Sequence, residues 1–124
     1  GHMTLADIEA LCMEKAKALG ITIDFRQSNH EGELVDALHV ARGTHAGVIL
    51  NAGAYTHTSV ALRDAITSIG LPVVELHLSN IHARETFRHI STIAPIAVWQ
   101  FCVFGAAGYP LAMDALMSYI GEAQ

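Results

Sequence analysis

Ala46-Gly47-Val48-Ile49-Leu50-Asn51-Ala52-Gly53-Ala54-Tyr55-Thr56-His57 sets an apolar run directly before a polar, glycine-containing turn, and a helical pattern follows from Ser59. The same order recurs at Pro72-Val73-Val74-Glu75-Leu76-His77-Leu78-Ser79-Asn80-Ile81-His82-Ala83-Arg84-Glu85. Strand, polar turn, helix, twice over, is the signature of an α/β chain with a parallel sheet. Its polar groups should gather along the carboxyl edge, where open sheets of this kind bind ligands. Thr4 and Asp7 fit a helix-capping pair ahead of Leu5, Ile8, Leu11 and Cys12, with Gly20 as the stop. A strand is expected at Ile21 to Arg26 and a helix at Glu31 to Arg42, stopped by Gly43. Strands follow at Gly47 to Asn51, Val73 to Leu78 and Ile96 to Phe104, with helices at Ser59 to Ser68, Ala83 to His89 and Ala106 to Ile120. The expectation is four strands and five helical segments in one domain over residues 4–124.

Composition narrows the class. A chain of 124 residues that is 52% hydrophobic and 15% charged can bury a large core. Seven Lys plus Arg against twelve Asp plus Glu leave a net charge of −5 and no basic footprint, so nucleic acid is not an expected partner. Ile90 to Met113 carries no charged residue and is long enough to raise the question of a membrane span. Pro95, Gln100, Gly105, Gly108 and Pro110 divide it instead into a strand and a helix, so no membrane partner is expected. Cys12 and Cys102 have no paired spacing and read as small buried hydrophobes of a reducing compartment, which with the lack of a signal pattern gives a cytoplasmic expectation. Gly1-His2-Met3 reads as the remnant of a cleaved expression tag.

The residues themselves carry part of a chemistry. Glu75 and His77 are two apart on a strand and point to one face, and a carboxylate beside an imidazole favours the charged ring, a general acid in waiting. The bland alternative is a half-buried histidine paired for stability. Leu78 and Ser79 lie where strand becomes turn, so their backbone N–H groups and the Ser79 hydroxyl can hold a carboxylate, or Ser79 can simply cap the next helix. Asn51 and His57 flank a turn and can bind hydroxyls, with Arg88 adding a contact; equally, Asn51 can brace the turn, His57 can open the next helix and Arg88 can sit in solvent near Arg84. A metal held by His57, His77, His82 and His89 matches no zinc spacing, so neither metal nor cofactor is expected.

The two long motifs, together with Ser28-Asn29-His30-Glu31-Gly32-Glu33-Leu34 and Thr58-Ser59-Val60-Ala61-Leu62-Arg63-Asp64, resemble type II 3-dehydroquinate dehydratase from about Thr4 to Met117. The resemblance implies a flavodoxin-like three-layer sandwich and removal of water from dehydroquinate, a small polyhydroxy carboxylate of the shikimate pathway, to give dehydroshikimate. It implies His77 as the acid that protonates the departing hydroxyl, with Glu75 beside it as the other catalytic residue. It also implies Asn51, His57, Leu78, Ser79 and Arg88 as substrate contacts, and Asp64 reaching across a subunit contact in a homo-oligomer, trimer or dodecamer. The family opens with a central strand and a loop carrying an asparagine, an arginine and a catalytic tyrosine, which the residues before Thr4 do not match; Tyr55, variable in the family, is not their substitute. Where the family usually has proline, histidine, lysine-glycine, a smaller aliphatic residue and glycine, this sequence has Ala52, Ile90, Val98-Trp99, Phe101 and Val103. This pattern suggests an engineered derivative, with Trp99 and its neighbours buried in the space of a missing strand and activity strongly reduced. An active dehydratase, an inactive or strand-complemented scaffold and a small-molecule binding module are the three functions left open.

Overall fold

The computed structural model describes residues 3–78, 91–103 and 105–123. Helix α1 (Leu5–Leu19) starts where the sequence places it: the Thr4 hydroxyl accepts from the Asp7 backbone N–H at 3.1 Å and the Asp7 carboxylate accepts from the Thr4 N–H at 2.9 Å. It ends at Gly20, whose φ of 71° is left-handed and lets the N–H groups of Gly20 and Ile21 close back on the carbonyls of Lys17 and Ala16. Helix α2 (Glu31–Ala41) follows, then strand β1 (Val48–Leu50), a 3-10 turn (Gly53–His57) and helix α3 (Val60–Ile69), whose first turn is capped by the Ser59 hydroxyl accepting from Leu62 N–H at 3.0 Å. Strand β2 (Val73–His77), strand β3 (Trp99–Cys102) and helix α4 (Gly108–Ala123) complete the described elements.

The three strands form one parallel sheet in the order β1-β2-β3, with Leu50 opposite Glu75 and Glu75 opposite Gln100. The central strand β2 is buried at every residue, as a parallel strand covered on both faces must be. Alternation divides its contacts. Val74 and Leu76 pack with Ala112 and Leu116 of α4, while Val73 joins Leu50 of β1 against Leu62, Ala65, Ile66 and Ile69 of α3 and Leu38 of α2. Helix, sheet and helix therefore make three layers. Leu62, Leu76 and Ile93 have no exposure at all, and each such side chain contributes about 2 kcal/mol of transfer free energy. Gly47 allows the closest approach to α4, since a Cβ there would meet a Leu116 methyl at 2.9 Å.

Three sequence expectations are corrected. The described residues contain three strands, not four. Ile21 to Arg26 is extended and alternates in burial, with Ile21, Ile23 and Phe25 packed on Cys12, Ala16 and Met113, but it forms no ladder with the described strands. Side-chain alternation needs only an apolar surface on one side, whereas a strand needs a backbone partner at its edge. The last strand is shorter than Ile96 to Phe104, because the N–H groups of Ile96 and Ala97 turn back to the Ile93 carbonyl. Trp99 and Cys102, expected in the interior, are exposed, Trp99 at 53%. β3 is the outermost described strand, so α4 covers Phe101 while the Trp99 ring overhangs it, 6.4 Å from the Phe101 ring. The cavity-filling role expected of Trp99 falls with this. The expected helix at Ala83 to His89 lies outside the described residues, and no described helix is long and apolar enough to cross a membrane.

Candidate active site

The centre of the site is an ionisable pair in the interior. Glu75 and His77 share the face of β2 that looks toward α3; Glu75 has no exposure and His77 is 5% exposed. The His77 Nε2 lies 2.5 Å from Glu75 Oε1. Two further donors converge on the same carboxylate. The Ser91 hydroxyl donates to Oε1 at 2.7 Å, and the Gln100 amide reaches Oε2 at 3.4 Å from the opposing register position on β3. Burial pushes the Glu75 carboxyl up, but the bonds from His77 and Ser91, the charge of the His77 ring and the Gln100 amide outweigh it, and the group is held below the ordinary carboxylate range. An ionised Glu75 only accepts, so the nitrogen facing it, Nε2, carries a hydrogen, and Nδ1 is left as the nitrogen that can serve a ligand.

The segment entering β3 is anchored so that Ser91 cannot drift. Thr92 donates from both its N–H and its hydroxyl to the Thr56 carbonyl, each at 2.9 Å, and its own carbonyl accepts from Arg63 Nη1 at 3.3 Å. These bonds tie the carboxyl end of the 3-10 turn and the start of α3 to the segment that supports Glu75.

The other sequence-predicted residues are placed more loosely. Asn51 follows β1 at the same carboxyl edge as His77, but its side chain turns to the opposite face: Oδ1 accepts from Gly53 N–H at 3.2 Å, bracing the turn, and Nδ2 donates to the Tyr109 hydroxyl of α4 at 3.4 Å. His57 closes the 3-10 turn, half-buried. Helix α3 is opened instead by Ser59. Leu78 directly follows β2 and packs its side chain against the α4 cluster. Asp64 is exposed on α3. Ser79 and Arg88 lie outside the described residues, as do His82 and His89. Tyr55 is committed elsewhere, its hydroxyl donating to the Asn29 carbonyl at 3.0 Å. Among the described residues no group of three or more His, Cys, Asp or Glu side chains converges as a metal site.

A sequence model described as dehydroquinase class II matches residues 1–117. The chain belongs to the class II dehydroquinase family. Among curated members of the family, it is 62% identical over 122 residues to a 3-dehydroquinate dehydratase of Jannaschia sp., covering 98% of this chain and 82% of that one. It is 59% identical over 120 residues to a 3-dehydroquinate dehydratase of Ruegeria pomeroyi, covering 97% and 80%. Solved type II dehydroquinases share the fold. That of Butyrivibrio crossotus superposes with a TM-score of 0.90 at 37% identity, covering 94% of this chain and 82% of that one. That of Propionibacterium acnes gives 0.87 at 32%, covering 93% and 85%.

Within this dehydroquinase-family fold, Ser91, Gln100, Thr92 and Tyr109 are the polar residues of the site that the sequence did not single out. Gln100 left a trace: it is one of the few polar residues in the uncharged stretch from Ile90 to Met113. Its register against Glu75 has no signature in the sequence.

Proposed function

We propose that the chain dehydrates 3-dehydroquinate to 3-dehydroshikimate, with His77 as the general acid. The observation that carries the reading is the buried Glu75–His77 contact at the carboxyl edge of the sheet, in a chain about 60% identical to proteins named for this reaction. The hydrogen on the carbon next to the ketone is removed as a proton and its electron pair forms the new double bond as the C–O bond breaks; His77, holding one hydrogen on Nε2 toward Glu75, passes a second from Nδ1 to the departing hydroxyl, which leaves as water. The elimination is redox-neutral, with one proton taken and one given, and calls for no redox cofactor. The acid half belongs to His77, and the base half is assigned to none of the described residues.

The rest of the reading is supported more distantly. Asn51 and His57 would bind ring hydroxyls, Leu78 and Ser79 the carboxylate, and Arg88 a further oxygen; Asn51, His57 and Leu78 all follow the carboxyl edge, which supports this. The exposure of Asp64 suits a contact with a neighbouring subunit of a homo-oligomer. Parallel register and helices on both faces support a flavodoxin-like arrangement of the sheet.

Conversion of dehydroquinate, followed as the ultraviolet absorbance of the conjugated product, tests the proposal. The expected result is turnover that falls by about 10²- to 10⁴-fold in His77→Ala. Turnover unchanged in that variant, or saturable binding of dehydroquinate with no turnover by the unaltered chain, would overturn it.

A further inference from the structure

Resting on the reading of His77 as the acid, we propose that Ser91 and Gln100 are positioning residues that act on His77 through Glu75, fixing which ring nitrogen is presented to substrate. A serine hydroxyl has one hydrogen and two acceptor lone pairs. In Ser91 both acceptor positions are filled, by the N–H groups of Ile93 at 3.1 Å and Ala94 at 2.9 Å. Its single hydrogen is thereby directed to Glu75 Oε1, 2.7 Å away. The hydroxyl is a donor with no alternative orientation, and Thr92 beside it is tied to the Thr56 carbonyl through two bonds.

Gln100 closes the other side. It comes from the strand opposite, at the register position of Glu75, and its amide meets Oε2 at 3.4 Å. A carboxylate held by His77 alone could rotate about its last torsion, which is broad, or take the ring proton and become a neutral acid. Donors on both oxygens oppose each of these. They favour the anion and hold its plane, so one hydrogen of the imidazole stays on Nε2 and Nδ1 is kept for the second, the proton that passes to the departing hydroxyl. Orientation of a catalytic histidine by a hydrogen-bonded carboxylate is a known device. Here the carboxylate is itself oriented, by a hydroxyl on one side and an amide on the other.

Two readouts test the proposal on the intact chain. Long-range proton–nitrogen correlation spectra give the tautomer of the His77 ring, and the dehydroquinate assay gives kcat and KM. In its neutral form the ring of the unaltered protein should carry its hydrogen on Nε2 alone; the acid form that delivers the proton carries a second hydrogen, on Nδ1. Ser91→Ala, Gln100→Leu and above all the double variant should admit the neutral tautomer that has lost the Nε2 hydrogen, with kcat falling about 10-fold while KM stays within about twofold, the effect expected of an orienting partner. Ser91→Thr, which keeps a hydroxyl, should restore both. Gln100 is exposed on an outer strand, so its variant folds even if removal of Ser91 disturbs the adjoining turn. A double variant with the tautomer unaltered overturns the positioning role. Absence of turnover in the unaltered chain overturns the proposed function instead, and the tautomer still decides for or against Ser91 and Gln100.

Discussion

Thr56 shows how differently two buried polar groups can be treated in one site. Glu75 has donors on both oxygens, whereas the Thr56 hydroxyl, with no exposure, has no hydrogen-bond partner among the described residues. A buried hydroxyl without a partner costs about 1–3 kcal/mol. Thr56→Val, which keeps the shape, is therefore expected to be neutral or to stabilise by about 1 kcal/mol, read as an increase in the urea midpoint at constant slope. A loss of stability would show that the hydroxyl has a partner. At this scale the sequence showed the Glu75–His77 pair through its spacing of two, because strand alternation is a local rule. It showed neither Ser91 nor Gln100, which meet Glu75 only through the pairing of β2 with β3. Asn51 takes the bracing role that the sequence offered, with Oδ1 accepting from Gly53 N–H and its amide turned to Tyr109.

Elements were legible where their ends are chemical. Thr4 with Asp7, Ser59 and Gly20 mark helix termini by side-chain oxygens or by left-handed glycine, and each does so in the structure. Thr4→Ala should lower stability by about 1 kcal/mol, the usual loss for an N-cap, and a change well below that in denaturant unfolding would mean that α1 is held by packing alone. Strands were less legible because pairing is not local. Ile21 to Arg26 has the alternation of a strand without the ladder, and the extent of β3 is set by turns at the Ile93 carbonyl. The exposure of Trp99 reverses an energetic expectation as well. A buried tryptophan changed to glycine would cost about 3–5 kcal/mol. With the ring half in solvent, Trp99→Gly should cost about 1 kcal/mol, the range of strand propensity, and a loss above about 3 kcal/mol would place the ring in an interface that the isolated chain does not form.

In the whole molecule, the layers bring chemistry to one edge of the sheet and seal it from below. The pair sits between α3 and the sheet in a nearly dry position, so its charge state is linked to folding. Glu75 is held below its ordinary range in the fold, hence the native state binds fewer protons than the unfolded chain at mildly acid pH. Its contribution is fully present above about pH 5 and is lost as pH falls through about 4.3, the unfolded glutamate value, toward the lower native one. Asp24, beside Arg26, and Asp7, bonded to Thr4, act in the same direction from the surface. Urea midpoints should be level from pH 7 to about 5 and decline below that, and Glu75→Gln should make the decline shallower. Parallel declines in the two proteins would remove Glu75 from the linkage.

Under the proposed function, the imidazole held by Glu75 is the acid that meets substrate. A crystal structure of the chain with bound dehydroquinate measures this directly: the departing hydroxyl is expected at about 2.6–3.2 Å from His77 Nδ1, with Nε2 still on Glu75. Dehydroquinate seated elsewhere, for example in the open groove between Gly70, Pro72, Ile96 and Tyr119 at the opposite edge of the sheet, or bound with its ring hydroxyls turned away from His77, would contradict it.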